Sequence, residues 1–100
     1  LEIRIPPEFL FHGTTTEALK DIMISGAILR MKRHAVHLQT DISKAWQSAI
    51  RRKNQTPVVL KIAASEMHSK GIEFSISENE VWFCEQVPTT YIAEILYEVE

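Results

Sequence analysis

One hundred residues, 45% of them apolar and 24% charged, fit one globular domain and not a disordered segment. Eleven basic residues against thirteen acidic ones leave a net charge of −2. No apolar run reaches the roughly 20 residues of a membrane-spanning helix. These numbers exclude a helical membrane anchor and a chain that binds nucleic acid through bulk positive charge.

The start, Leu1-Glu2-Ile3-Arg4-Ile5-Pro6-Pro7, has neither the basic nor the apolar region of a signal peptide. It reads as an extended lead-in, and without an initiator methionine it reads as a piece of a longer chain. The first strand is expected over Phe9 to His12. Thr14-x-x-Glu17 has the form of a capping box opening a helix through Ile24, with an apolar stripe of Ala18, Leu19, Ile22 and Met23. Gly26 is placed to end that helix in the left-handed conformation. Ile28, Leu29 and Met31 then cross the core before a short strand, Ala35 to Leu38.

Thr40-Asp41 offers the next N-cap. Ile42, Ala45, Trp46, Ala49 and Ile50 recur at helical spacing, so an amphipathic helix follows. Asn54 to Pro57 breaks it, and Val58 to Ala63 is the most apolar strand, expected at the centre of its sheet. Ser65 to Lys70 forms a short helical turn ending at Gly71. The remaining strands are expected over Ile72 to Ile76, Val81 to Glu85 and Tyr91 to Val99. Helices gather in the first half and strands outnumber them, which is an α+β pattern.

Chemistry concentrates in two stretches. In Phe11-His12-Gly13-Thr14 a strand delivers a histidine, and a glycine without Cβ can bring bare backbone close to a ligand. In Arg33-His34-Ala35-Val36-His37-Leu38 the two histidines differ by three, so on a strand they diverge and make no metal pair. Six of the eleven basic residues form two clusters, Arg30/Lys32/Arg33 and Arg51/Arg52/Lys53, while acids crowd the end at Glu78, Glu80, Glu85, Glu94, Glu98 and Glu100. Local positive potential can hold phosphate whatever the total charge. The single cysteine, Cys84, reads as a core thiol; it rules out an internal disulfide and fits a reducing, cytoplasmic setting.

Taken together these stretches resemble the RNA 2′-phosphotransferase family. The resemblance runs in register through Pro6-Pro7-x-Phe9-Leu10-Phe11-His12-Gly13-Thr14, Arg33-His34-x-Val36-His37-Leu38 and Thr56-Pro57-Val58-Val59-Leu60. It continues through Met67-x-x-x-Gly71-Ile72-x-Phe74, Glu78-Asn79-x-Val81-Trp82-Phe83 and Val87-Pro88. It implies a small ADP-ribosyltransferase-like fold of mostly antiparallel strands in two packed sheets, with residues 1–100 forming one NAD-binding domain. It corresponds to the C-terminal lobe of that family, without the N-terminal winged-helix lobe and the arginine-histidine pair and further arginine that lobe brings.

The implied reaction moves an internal RNA 2′-phosphate, as at a tRNA splice junction, onto NAD. Its products are dephosphorylated RNA, nicotinamide and ADP-ribose cyclic phosphate. By resemblance His12 holds an NAD ribose, Gly13 meets the nicotinamide amide, and Thr14 sits beside them. Arg33 engages the transferred phosphate, His37 and Arg51 lie on the NAD side, and Val81 and Trp82 line or support the nicotinamide pocket. The expected partners are NAD as co-substrate and a tRNA-like RNA; no metal and no membrane are expected, and the chain is expected to be a monomer. Two departures from the family pattern stand out: Gln39 where serine is usual, and Glu80 where glycine is usual. They keep two rivals open, an ADP-ribosyltransferase-like protein acting on another substrate and a degenerate nucleotide- or RNA-binding domain without turnover.

Overall fold

A computed structural model describes residues 1–99, so Glu100, the last of the expected acidic residues and the end of the expected domain, lies outside the described residues. The order of elements is β1 (Glu2–Ile3), β2 (Leu10–Thr15), α1 (Thr16–Ser25), β3 (Ala27–Leu29), β4 (Val36–Leu38) and α2 (Ile42–Ala49). There follow β5 (Pro57–Ile62), α3 (Ala64–Ser69), β6 (Ser75–Ile76), β7 (Trp82–Cys84), β8 (Gln86–Pro88), a 3₁₀ turn at Thr89–Tyr91 and β9 (Ile92–Tyr97). The fold is α+β, with every strand pair antiparallel. The two longer helices stand in the first half.

The strands form three hydrogen-bonded sheets among the described residues, and not the two expected: β1-β6-β7-β4, β2-β5-β9, and the ribbon β3-β8. The ribbon was hidden because Gln86-Val87-Pro88 follows β7 after one residue and ends in a proline, which cannot donate to a ladder. Likewise β1 is only two exposed residues on the edge of its sheet. β5 is central, as its composition predicts, with Val58, Val59, Leu60 and Ile62 all fully buried between β2 and β9. The main core gathers Leu10, Leu38, Leu60, Ile62, Phe74 and Trp82 with Leu19 of α1 and Ala64 and Met67 of α3. Cys84 is buried there, and burial pushes its thiol up to about 12, so it stays protonated.

Helix α1 begins one residue later than the capping box implies. Thr15, not Thr14, is the N-cap: its hydroxyl oxygen accepts from the Ala18 amide at 3.1 Å and its O–H donates to Gln55 at 2.7 Å. Glu17 turns instead to the Thr56 amide. Gly26 ends the helix at φ +80°, as expected. The apolar stripe is thinner than its spacing suggests: Leu19 is buried, but Met23 is half exposed. In α2 the Asp41 carboxylate caps Ser43 through both amide and hydroxyl, and only Ala45 and Ala49 are buried.

The reason for so narrow a buried face on α2 is Gly13. A Cβ built on Gly13 would lie 1.9 Å from the Ala45 carbonyl oxygen and 2.9 Å from the Ala49 amide nitrogen. The helix backbone therefore rests directly on the strand, with alanines on either side of the contact. The glycine was expected to admit a ligand; the space its missing side chain leaves is filled by α2. Gly13→Ala should cost about 3 kcal/mol or more, because backbone and not a flexible side chain must give way. Urea unfolding checks this, and a variant with an unchanged midpoint would remove α2 contact as the reason for the glycine.

Candidate active site

β2 and β4 meet at one point and then part. Phe11 and Gln39 exchange both backbone hydrogen bonds, at 2.7 and 2.8 Å, but the ladder goes no further. Backbone groups alternate in direction along a strand. Phe11 turns both its backbone groups to Gln39, so Gly13, two residues on, faces the same side, away from β5. The N–H and C=O of Gly13 thus point toward the space where β4 has turned away.

That space is a cleft of about 870 Å³. Its floor is His12, Gly13 and Thr14; shifting the N-cap to Thr15 leaves Thr14 free to line it. One wall is a face of α1, where Ala18, Asp21, Ile22 and Ser25 recur at helical spacing. The rim carries Arg30, Lys32 and Arg33, and the far end of α2 adds Arg52. Four cations face one carboxylate, so the cleft is positive on a chain of net charge −2. The turn bearing the first three is held at both ends: the Arg33 amide donates to the Arg30 carbonyl at 3.0 Å, and the Arg30 guanidinium donates to the Arg33 carbonyl at 2.9 Å.

Of the residues expected from sequence, His12, Gly13, Thr14, Arg33 and His37 come together around this cleft. Arg51, Val81 and Trp82 are not among its lining. Arg52 takes the place expected of Arg51: it lies in the turn that follows α2, and that turn brings Arg52 and not Arg51 to the lining beside Ser48 and Ala49. Trp82 is buried in β7 as the register partner of Leu38, so it flanks β4 within its sheet. Arg30, Lys32, Asp21 and Ile22 were not singled out as site residues. The signal for Asp21 and Ser25 was present in the α1 periodicity, but a polar pair on an apolar stripe reads first as a helix surface.

The two site histidines are fixed in opposite tautomers. His12 Nδ1 lies 2.8 Å from the His37 carbonyl oxygen, which can only accept, so Nδ1 carries the proton and Nε2 offers a lone pair. His37 Nδ1 lies 3.0 Å from the Arg33 guanidinium, which can only donate, so Nδ1 carries the lone pair. The His37 ring stands edge-on to Phe83, at 4.7 Å between centroids and 82° between planes. Burial holds both histidines below their usual range, and the Arg33 charge adds to the effect. For both, the unfolded chain binds protons more readily than the folded one. Their contribution to stability is therefore complete above about pH 6.5 and is lost as pH falls toward and through the folded values. Asp41 and Glu17, held below the usual carboxylate range chiefly by hydrogen bonds to Ser43 and to backbone amides, act only at lower pH. The urea midpoint should thus fall as pH drops below about 6.5; a flat profile there would contradict the neutral pair.

The chain is similar to known proteins over most of its length. The family described as RNA 2′-phosphotransferase, Tpt1/KptA, matches residues 1–86. A probable RNA 2′-phosphotransferase of Rhizobium rhizogenes is 42% identical over 90 residues, 90% of this chain and 48% of the relative. One from Nostoc punctiforme is 39% identical over 95 residues, 95% of this chain and 51% of the relative. One from Streptomyces coelicolor is 39% identical over 92 residues, 92% of this chain and 49% of the relative. The chain spans about half the length of the curated relatives it matches. With a family match over residues 1–86, the chain belongs to the RNA 2′-phosphotransferase family.

Proposed function

We propose that this chain is the NAD-binding part of an RNA 2′-phosphotransferase that moves an internal 2′-phosphate from RNA to NAD. The observation that carries the reading is a cleft floored by His12 and Gly13 and rimmed by Arg30, Lys32, Arg33 and Arg52. The residues present suit NAD in each of its parts. Guanidinium and ammonium groups suit its diphosphate. The His12 Nε2 lone pair can accept from a ribose hydroxyl. The adjacent N–H and C=O of Gly13 match the donor and acceptor of a carboxamide, and Ile22, Ile28 and Val36 give apolar wall for a base. A cleft of about 870 Å³ is within the range of small-molecule sites.

NAD would supply a ribose carbon that accepts the 2′-phosphate as nicotinamide leaves. The protein's own part is positioning and charge. Arg33 can grip two oxygens of the incoming phosphate while staying charged at any working pH. His12 stays neutral, so it orients a hydroxyl without adding charge. The α2 backbone on Gly13 and the strand β7 behind β4 hold both sides of the cleft in place. The family departures do not reach this lining. Gln39 meets Phe11 through its backbone alone, and Glu80 sits in the Ser77–Val81 turn. That both residues behind the degenerate-domain reading stand off the cleft lining supports the transferase reading.

Titrating NAD into the chain tests the reading. His12→Ala should weaken NAD at least about tenfold while costing about 1 kcal/mol of stability, from the His37 carbonyl left without its donor. Arg33→Lys should harm handling of a 2′-phosphorylated oligonucleotide nearly as much as Arg33→Ala, by about 2.7–4 kcal/mol in the transfer barrier. Calorimetry and phosphate release measure these. No NAD affinity in the folded chain, or a fully active Arg33→Lys enzyme, would overturn the proposal.

A further inference from the structure

His37 touches both residues on which the proposed chemistry depends. Its carbonyl fixes the His12 tautomer from β4, and its ring nitrogen receives the Arg33 guanidinium. The ring has little freedom of its own, with Phe83 against one side and Arg33 at its edge. Arg33 by contrast is an exposed side chain on a turn, and nothing else among the described residues bonds its guanidinium.

We infer that His37 is a positioning residue: its Nδ1 lone pair holds the Arg33 guanidinium in the orientation that meets a phosphate. This rests on the reading of Arg33 as a phosphate ligand. A guanidinium has five N–H donors; spending one on His37 leaves four, enough for a two-point grip on phosphate. A tethered guanidinium also binds without having to be ordered first. The bond exists only while His37 is neutral, since a protonated ring offers a second donor where an acceptor is needed. The charged and titratable groups around the same cleft are His12 from β2, Asp21 from α1, Arg30 and Lys32 from the turn, and Arg52 after α2. From β7 the ring meets Phe83, which carries no charge.

Two measurements decide it. Two-bond ¹⁵N–¹H spectra of the imidazoles at a pH above their titration should show His37 protonated at Nε2 and His12 at Nδ1. Arg33→Gln should raise the titration midpoint of His37 by more than that of His12. An Nδ1-protonated His37, or a midpoint indifferent to the guanidinium, would overturn the inference.

The second measurement is a double-mutant cycle with inorganic phosphate as the probe. His37→Phe keeps a ring against Phe83 but lacks the acceptor. It should cost about tenfold in phosphate affinity with Arg33 present and less than about twofold in the Arg33→Gln background. His37→Asn places an amide oxygen near the Nδ1 position and should lose less than His37→Phe. Equal losses in both backgrounds would mean His37 acts on stability and not through Arg33. If the unaltered chain binds no phosphate at all, the function proposed above fails, while the imidazole spectra still decide the role of His37.

Discussion

The cleft depends on a contact in which a side chain is missing. Because Gly13 has no Cβ, α2 lies with its Ala45 carbonyl and Ala49 amide against the β2 backbone. At that separation the helix needs small residues, and Ala45 and Ala49 are its two buried positions. The end of the same helix brings Ser48 and Ala49 to the cleft, and the turn that follows it brings Arg52. A larger residue at position 13 would lift the helix, and with it one cation and one wall. The glycine thus serves two purposes at once: its Cα face admits a helix, and its N–H and C=O, freed by the parting of β4, face the ligand space.

Once that frame is set, the electrostatics follow from which groups can donate and which can accept. Four cations converge on a cleft whose histidines are both held neutral by burial. Were His12 and His37 charged as well, the empty cleft would carry six like charges against Asp21 alone, a costly arrangement at short range. Neutral histidines supply directional contacts without that repulsion. Arg33 gains an acceptor in place of a competing charge, and His12 presents a lone pair instead of a second donor.

Much of this was legible in the sequence, for reasons that differ by element. The Asp41 cap, the Gly26 stop and the apolar run of β5 are local signals, and the structure realises each nearly where the residues place it. Signals that depend on tertiary partners were not legible. β8 exists because β3 lies beside it, and β1 because β6 does. The spacing to Glu17 points to Thr14 as the cap; Gln55, forty residues on, favours Thr15 by accepting its hydroxyl proton. The motif residues His12, Gly13, Thr14, Arg33 and His37 could be listed from the sequence, but not the choice of Arg52 over Arg51, which depends on the path of the turn after α2.

The family departures show why a sequence pattern and a site are different things. Gln39 joins β4 to β2 through N–H and C=O, which every residue but proline possesses, so its side chain is free to vary. Glu80 adopts φ +62°, a left-handed conformation in which glycine is least strained. The family's usual glycine there is thus explained by backbone geometry, with the amide of Glu80 closing the turn onto Ser77 at 2.9 Å. A glutamate pays some conformational strain in that turn, of about 1 kcal/mol, without placing its carboxylate on the cleft lining. Both positions stand out because their side chains differ from the family pattern, whereas the hydrogen bonds they make run through their backbones. Arg33 and His12 are the opposite case: their backbones are ordinary, and it is the donors and acceptors of their side chains that the cleft is built to aim.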